Sequence, residues 1–331
     1  MRAVVCRAFG LENAVVQEVT APTMTPDGVR IAVASAGVSF ANLLVIDGKH
    51  QNRWEPPFTP GTEVAGVVVE CGPQTSLLKK GDRVLASVRT GGYAQEVVVP
   101  ECNVFRLPSA VDFDAAVHFP TIYATAYAAL VWRARIRPGE VLLVHGAAGG
   151  SGLAAVEIGK QLGARVMATA GTDDKTAAAR AHGADLVINY RKEDFRDKVL
   201  EATGGRGADV VFDPVGGAVF DTSLRCVAPD GRIIPMGFAS GTIPQIPANI
   251  LLVKNVTVIG LYWGYYMGWG RQPPAPGIGE QVREAFDELL GWAATGKLRP
   301  ETYGTFDLAD FAQALDLIAS RKVIGRVALH P

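Results

Sequence analysis

Apolar residues in the first third of the chain come in short runs, at 1–6, 14–19, 28–35, 65–70, 83–86 and 94–99. Turn chemistry separates them, as in Pro26-Asp27-Gly28 and Lys79-Lys80-Gly81-Asp82. This pattern predicts many short strands that form a small, partly open barrel, with one helix at 40–45 before Asp47-Gly48. From about Asp112 the period lengthens, and 113–119 and 122–132 are predicted helical. Strands and helices then alternate. Strands are expected at 141–145, 165–170, 185–188, 209–213, 231–236 and 256–260, with helices at 152–162, 174–182, 193–202 and 217–226. Such alternation predicts a doubly wound parallel sheet. The aromatic and proline-rich stretch 262–278 is predicted to be a loop. Helices at 280–295 and 308–320 and a strand at 325–329 close the chain.

The chain is organised around VLLVHGAAGGSG at 141–152. The first five residues have the apolar character of a buried parallel strand. The glycine run that follows is too rich in glycine for the interior of either element. Apolar residues at Leu153, Val156, Ile158 and Leu162 then mark a helix packed tightly on a sheet. Strand, glycine turn and helix form the phosphate end of a dinucleotide site. Gly149 lets the backbone approach a pyrophosphate, Gly152 lets the helix sit near the strand, and the helix N-terminus offers free N–H groups and a positive dipole end. Ala148, Gly150 and Ser151 belong to the same turn.

Composition narrows the class. A chain of 331 residues with 48% hydrophobic and 20% charged residues suits a well-packed protein of two domains. The formal net charge of −1 lacks the basic footprint of a nucleic-acid binder. The densest basic cluster, Arg133, Arg135 and Arg137, reads as a solvated turn beside Pro138. Cys6, Cys71, Cys102 and Cys226 are scattered without metal-ligand or redox spacing, which suits a reducing cytoplasm. The N-terminus has a strand pattern and no signal-peptide features, and no apolar run approaches membrane-spanning length. A cytoplasmic protein is expected, with no membrane and no nucleic-acid partner.

The chain resembles the medium-chain dehydrogenase/reductases, and within them the zinc-free quinone oxidoreductases related to zeta-crystallin. The resemblance rests on PGTEVAGVVVECG at 60–72, KKGDRV at 79–84, GGYAQEVVVP at 91–100, HGAAGGSG at 145–152, GADLVINY at 183–190, GADVVFDPVGG at 207–217 and the closing GRVALHP. It implies a GroES-like partly open β-barrel catalytic domain at 1–118, completed by 280–331, and a Rossmann domain with a doubly wound parallel sheet at 119–279. Substrate would meet cofactor in the cleft between them. Zinc-dependent members carry cysteine near 39, histidine before the Glu at 63 and cysteine near 121. This chain has Ser39, Thr62 and Thr121 there, and hydroxyls are poor zinc ligands. No metal is expected.

NAD-specific sites place an acid at the tip of the second strand to bind the ribose 2′-OH. Here the strand ends in Ala170-Gly171-Thr172, with no carboxylate at the tip. Lys175 follows on the next helix and Tyr190 ends the third strand, where the resemblance implies a grip on a 2′-phosphate. NADPH is the expected cofactor, with Asp173 and Asp174 as counter-indications. The resemblance also implies nicotinamide contacts from Thr121, Thr125, Val215 and the loop containing Gly237, Phe238 and Ser240. Arg326 is expected to reach the pyrophosphate.

No Ser/His/Asp constellation, paired-carboxylate motif or metal cluster stands out. His50 lies where related enoyl reductases hold a proton-donating tyrosine, and its ordinary pKa suits that task. His182 and His330 read as superficial, and His118 and His145 as structural. Family members carry Asn near 39 and Asp near 42. Ser39 and Asn42 stand here, and Asn42 is expected to bond ribose or substrate. Hydride transfer to an electrophilic acceptor needs chiefly alignment and exclusion of water. The expected activity is NADPH-dependent reduction of a quinone or activated alkene. Two alternatives are an enoyl thioester reductase, with Lys49, Arg53 and Arg271 receiving CoA phosphates, and a non-catalytic NADPH-binding protein. Phe40, Trp54, Tyr262 and Trp263 suggest a flat apolar acceptor. The resemblance further implies a homodimer joined along the strand at 256–260.

Overall fold

The computed structural model describes all residues, Met1–Pro331, and divides into two compact units. One comprises Met1–Ala124 and Gly264–Pro331, the other Thr125–Trp263. The first boundary falls six residues after the expected 118, and the second sixteen residues before the expected 279. Residues 119–124 stay with the first unit because Phe119 and Tyr123 are buried and stacked on each other, and Ser87 Oγ donates to the Pro120 carbonyl at 3.1 Å.

In the first unit the strands are β1 (Arg2–Cys6), β2 (Ala14–Glu18), β3 (Gly28–Val38), β4 (Glu63–Cys71), β5 (Arg83–Ser87), β6 (Glu96–Pro100) and β7 (Val104–Arg106). Helix α1 (Phe40–Ile46) lies between β3 and β4, and the short α2 (Phe113–Ala116) follows β7. β1 and β2 form their own antiparallel pair, bridged to the rest through Ala3 and Ala94. The main sheet has seven strands. β4, β5 and β7 lie in succession on one side of β3, which also pairs with β6, and the C-terminal strand lies on its other side. Ile31, Val64, Val84 and Val97 turn into one apolar core with Leu315, Val327 and Leu329 from the end of the chain. The last residues of the chain thus pack into the core of the first unit.

The segment after α2 departs from the expected α-helix. Phe119–Tyr123 and Ala128–Arg133 are π-helical, flanking one α-turn, α3 (Ala124–Tyr127). The His118 carbonyl accepts from both Ile122 and Tyr123, at 3.2 Å each, so the ladder widens just after Pro120, which has no N–H to donate.

The second unit alternates β8 (Val141–Val144), α4 (Gly150–Gln161), β9 (Arg165–Ala170), α5 (Asp173–Ala181), β10 (Leu186–Asn189), α6 (Phe195–Ala202), β11 (Ala208–Asp213), α7 (Ala218–Cys226) and β12 (Val227–Pro235). Helix α8 (Ala248–Lys254) and β13 (Thr257–Val258) complete it. All six strands are parallel, in the order β10-β9-β8-β11-β12-β13. The order reverses between β8 and β11, so the glycine turn after β8 stands at the topological switch point, where doubly wound sheets bind ligands. Leu143, Met167, Ile188, Val211, Phe220 and Ile233 form the core. β12 starts four residues earlier than expected. Its Pro229-Asp230-Gly231 reads as a turn, but Asp230 takes a left-handed conformation inside a bulge and pairing resumes on both sides. The edge strand β13 is only two residues long, where 256–260 was expected.

The chain ends in the first unit. Helix α9 (Trp263–Tyr266) lies at the start of the expected loop, followed by α10 (Ile278–Ala294), β14 (Thr302–Asp307), α11 (Phe311–Ala319) and β15 (Arg326–His330). β14 was not expected, because Gly304 interrupts its run and none of its residues is fully buried. β14 runs parallel to β15, which is antiparallel to β3.

Candidate active site

In the second unit the site begins at the end of β8. Helix α4 starts at Gly150 with Gly149 at its N-cap and no side-chain cap, so the Gly150, Ser151 and Gly152 N–H groups are left for a ligand. A side chain at Gly152 would place Cβ 2.4 Å from the Gly146 carbonyl, which only glycine avoids. At Gly149 the nearest atom to a Cβ is that same oxygen at 3.5 Å, so the surface above the turn is open. Ala148 is buried beneath it. The Thr125 hydroxyl is buried and has no partner within the chain. An uncapped helix start, an open glycine surface and an orphaned hydroxyl together fit a dinucleotide.

His145 braces this turn from below. Its Nδ1 lies 2.9 Å from Thr169 Oγ1 and its Nε2 2.8 Å from Ser223 Oγ. Ser223 Oγ donates to the Val219 carbonyl at 2.7 Å, so it accepts from His145 Nε2–H, and Nδ1 accepts from Thr169. One neutral imidazole thus joins the ends of β8 and β9 to α7. Burial lowers its pKa to about 3. The sequence marks it only as a histidine before the glycines.

At the tip of β9, Thr172 caps α5 without a side-chain bond to it, and Lys175 lies in the first turn. Tyr190 is half-exposed, and its hydroxyl stands over Gly171, 2.6 Å from where a Cβ would be. Asp173 does not face an empty tip. Asn189 Nδ2 and Lys192 Nζ donate to its two oxygens at 2.8 and 2.6 Å.

Past β11, Asp213 is fully buried and its Oδ1 accepts from the Val215 and Gly216 N–H groups at 2.8 and 3.0 Å. Burial raises its pKa, against those two hydrogen bonds. The loop after β12 closes on this turn. Ala239 and Ser240 N–H donate to the Pro214 and Val215 carbonyls at 3.1 and 2.9 Å. Val215, Gly237, Phe238 and Ser240 are therefore brought together, and Phe238 is 43% exposed beside Gly216. The missed organiser is Asp213, whose signal was an acid directly before Pro214-Val215-Gly216.

In the first unit two expected roles change. Asn42 is completely buried in a capping box for α1. Its Oδ1 accepts from Ser39 N–H at 2.9 Å and Ser39 Oγ at 2.7 Å, and its Nδ2 donates to Thr62 Oγ1 at 3.4 Å. The amide oxygen is thus consumed by the helix cap, one Nδ2 hydrogen goes to Thr62, and no part of the side chain is exposed. Arg326 is 3% exposed, and its two terminal nitrogens each meet a Glu63 oxygen at 2.7 Å. Its Nε donates to the Val38 carbonyl, so it is an interior brace and does not reach a pyrophosphate.

Thr121 presents a buried hydroxyl with no partner within the chain. His50 accepts the Asn52 N–H on Nδ1 at 3.1 Å, which leaves the ring proton on Nε2 in the neutral form. Partial burial lowers its pKa further from neutrality. The ring is accordingly a hydrogen-bond donor through Nε2–H and a poor source of a full proton at neutral pH. Lys49 pairs with Asp47 and Arg53 with Glu55, so carboxylates already engage two of the three basic residues suggested for CoA. His182 is not superficial: it binds the buried Glu157 of α4 at 2.7 Å. No three His, Cys, Asp or Glu side chains gather in a metal-binding cluster.

Two family profiles match the chain: "Alcohol dehydrogenase GroES-like domain" at 25–109 and "Zinc-binding dehydrogenase" at 150–273. A quinone oxidoreductase-like protein 2 homolog from Nematostella vectensis is 41% identical, over 99% of this chain and 88% of that protein. Quinone oxidoreductase-like protein 2 from Bos taurus is 38% identical, over 95% and 88%. Among solved structures, Escherichia coli quinone oxidoreductase complexed with NADPH superposes with a TM-score of 0.90 at 28% identity, covering 100% of both chains.

Proposed function

Because the chain belongs to the quinone oxidoreductase-like proteins of the medium-chain dehydrogenase/reductase family, we propose that it is an NADPH-dependent reductase of quinones or related activated alkenes that works without zinc. The observation that carries the cofactor reading is the open glycine turn at the switch point, with an acid-free β9 tip beside it. Support for zinc independence comes from donor chemistry. The residues at the family's ligand positions are Ser39, Thr62 and Thr121, and the first two are hydrogen-bonded to Asn42.

NADPH, when bound, supplies the hydride. The Gly150, Ser151 and Gly152 N–H groups hold the pyrophosphate, and Lys175 and Tyr190 hold the 2′-phosphate. Val215 and the 237–240 loop present backbone to the nicotinamide, kept in register by Asp213. His50 Nε2–H and the Thr121 hydroxyl are hydrogen-bond donors for the acceptor oxygen. A quinone is already electrophilic and its reduced anion is resonance-stabilised, so solvent supplies the proton and the chain needs no strong acid. Carboxylate pairing of Lys49 and Arg53 weighs against a CoA thioester.

The test is NADPH oxidation at saturating cofactor with a naphthoquinone, a simple enone and crotonyl-CoA. The quinone should turn over fastest, with NADH a much poorer donor. Preference for crotonyl-CoA would move the protein to the enoyl reductases, and tight NADPH binding without turnover would make it a binder. The homodimer is part of the same reading. β13 is a bare sheet edge, and Leu252 and Val253 just before it are 77% and 74% exposed, an apolar surface that a second copy would cover. Light scattering should give twice the chain mass, and a 35.0 kDa particle would exclude it.

A further inference from the structure

Two acids, Asp174 and Asp173, open α5 beside the β9 tip, and a free carboxylate at Asp173 would repel a phosphate bound at Gly171–Lys175. The Asp173 oxygens are instead held from the β10 side by Asn189 and Lys192. Asn189 is buried, and its own Oδ1 accepts the Arg191 N–H at 3.1 Å, which fixes the amide in one orientation. The Asn189 carbonyl accepts from the Lys192 and Glu193 N–H groups at 2.9 and 3.0 Å, so the chain turns back directly after β10 and carries Lys192 toward α5. The Lys192 and Asn189 bonds hold the Asp173 carboxyl below the usual carboxylate range, so its charge is present at neutral pH and needs a counter-charge. Tyr190, between the two clamp residues, points its hydroxyl over Gly171.

We infer that Lys192 determines cofactor specificity by neutralising Asp173, with Asn189 positioning the carboxylate, so that a 2′-phosphorylated dinucleotide is accepted beside an acid that would otherwise disfavour it. Lys192 acts through Asp173 and not on the phosphate itself, which makes it a positioning residue. The inference rests on the NADPH reading above.

Calorimetric titration with 2′,5′-ADP, 5′-AMP, NADPH and NADH separates these roles without any turnover. Lys192→Gln should weaken 2′,5′-ADP and NADPH about three- to fivefold, the size of an exposed ion pair, and leave 5′-AMP and NADH within error. Asp173→Asn in the Lys192→Gln background should restore both phosphorylated ligands to near the wild-type value. A loss that persists in the double variant would mean that Lys192 touches the phosphate directly and would overturn the clamp. Equal weakening of all four ligands, or no weakening, would overturn it too. Wild-type protein that does not prefer 2′,5′-ADP over 5′-AMP would instead sink the NADPH reading, and with it the premise of the clamp.

Discussion

Single residues at this site are decided by what their polar atoms already hold. Asn42 has the composition of a ligand-binding residue, yet both ends of its amide are engaged by Ser39 and Thr62. Asn42→Ala should therefore act on stability. Loss of the N3 half of the capping box leaves the Ser39 N–H unpaired and costs about 1–2 kcal/mol, a drop in Tm of several degrees, with the NADPH dissociation constant unchanged. Calorimetry beside cofactor titration checks this, and a large loss of kcat at unchanged Tm would return Asn42 to the substrate. His50 shows the same logic in reverse. Its residue type suggests a proton donor, but one backbone N–H on Nδ1 sets the tautomer and reduces the ring to a hydrogen-bond donor.

Elements are tied together at this site by buried polar groups that the hydrophobic pattern does not reveal. His145 spans β8, β9 and α7 and stays neutral, whereas in the unfolded chain it takes up a proton near pH 6.5. Between about pH 6.5 and 3 the unfolded state holds the extra proton. Stability is therefore fully present above 6.5 and falls as the pH falls, by up to about 1.4 kcal/mol per pH unit. Buried His118, also shifted down by burial and then by Arg326, adds to the same slope. Denaturant melts of His145→Asn across this range should show a shallower slope than wild type, and parallel curves would remove His145 as its source. Strand and helix positions were legible because their apolar periods are local. The π-helical turns after α2 were not, because a widened ladder has the same composition as an α-helix.

At the scale of the whole molecule, the Arg326–Glu63 pair joins the last strand to β4, residues far apart in sequence. Both side chains are nearly inaccessible, so removing one partner leaves an uncompensated buried charge. Arg326→Met should cost about 3–5 kcal/mol and give a poorly folded protein, while Arg326→Met with Glu63→Leu should recover most of the loss. Urea melts of the single and double variants measure this. Failure of the double to recover would assign Arg326 a role besides the pair. The topology also places the C-terminal segment in the first unit, where β15 pairs antiparallel with β3 and parallel with β14.

The sequence by itself determined the two kinds of sheet, the glycine turn, the acid-free β9 tip and the hydroxyls at the family's zinc positions. Each is written in local periodicity or in the identity of a few adjacent residues. Only the tertiary structure decided which polar side chains remained available. A hydrogen bond removes a group from the list of candidates only when its partner arrives, and the partners of Asn42, Arg326, Asp173 and His145 come from other elements, as many as 263 residues away. The Asp173 carboxylate, a counter-indication to a phosphorylated cofactor in the sequence, is met by a lysine nineteen positions further on, brought beside it by the turn after β10.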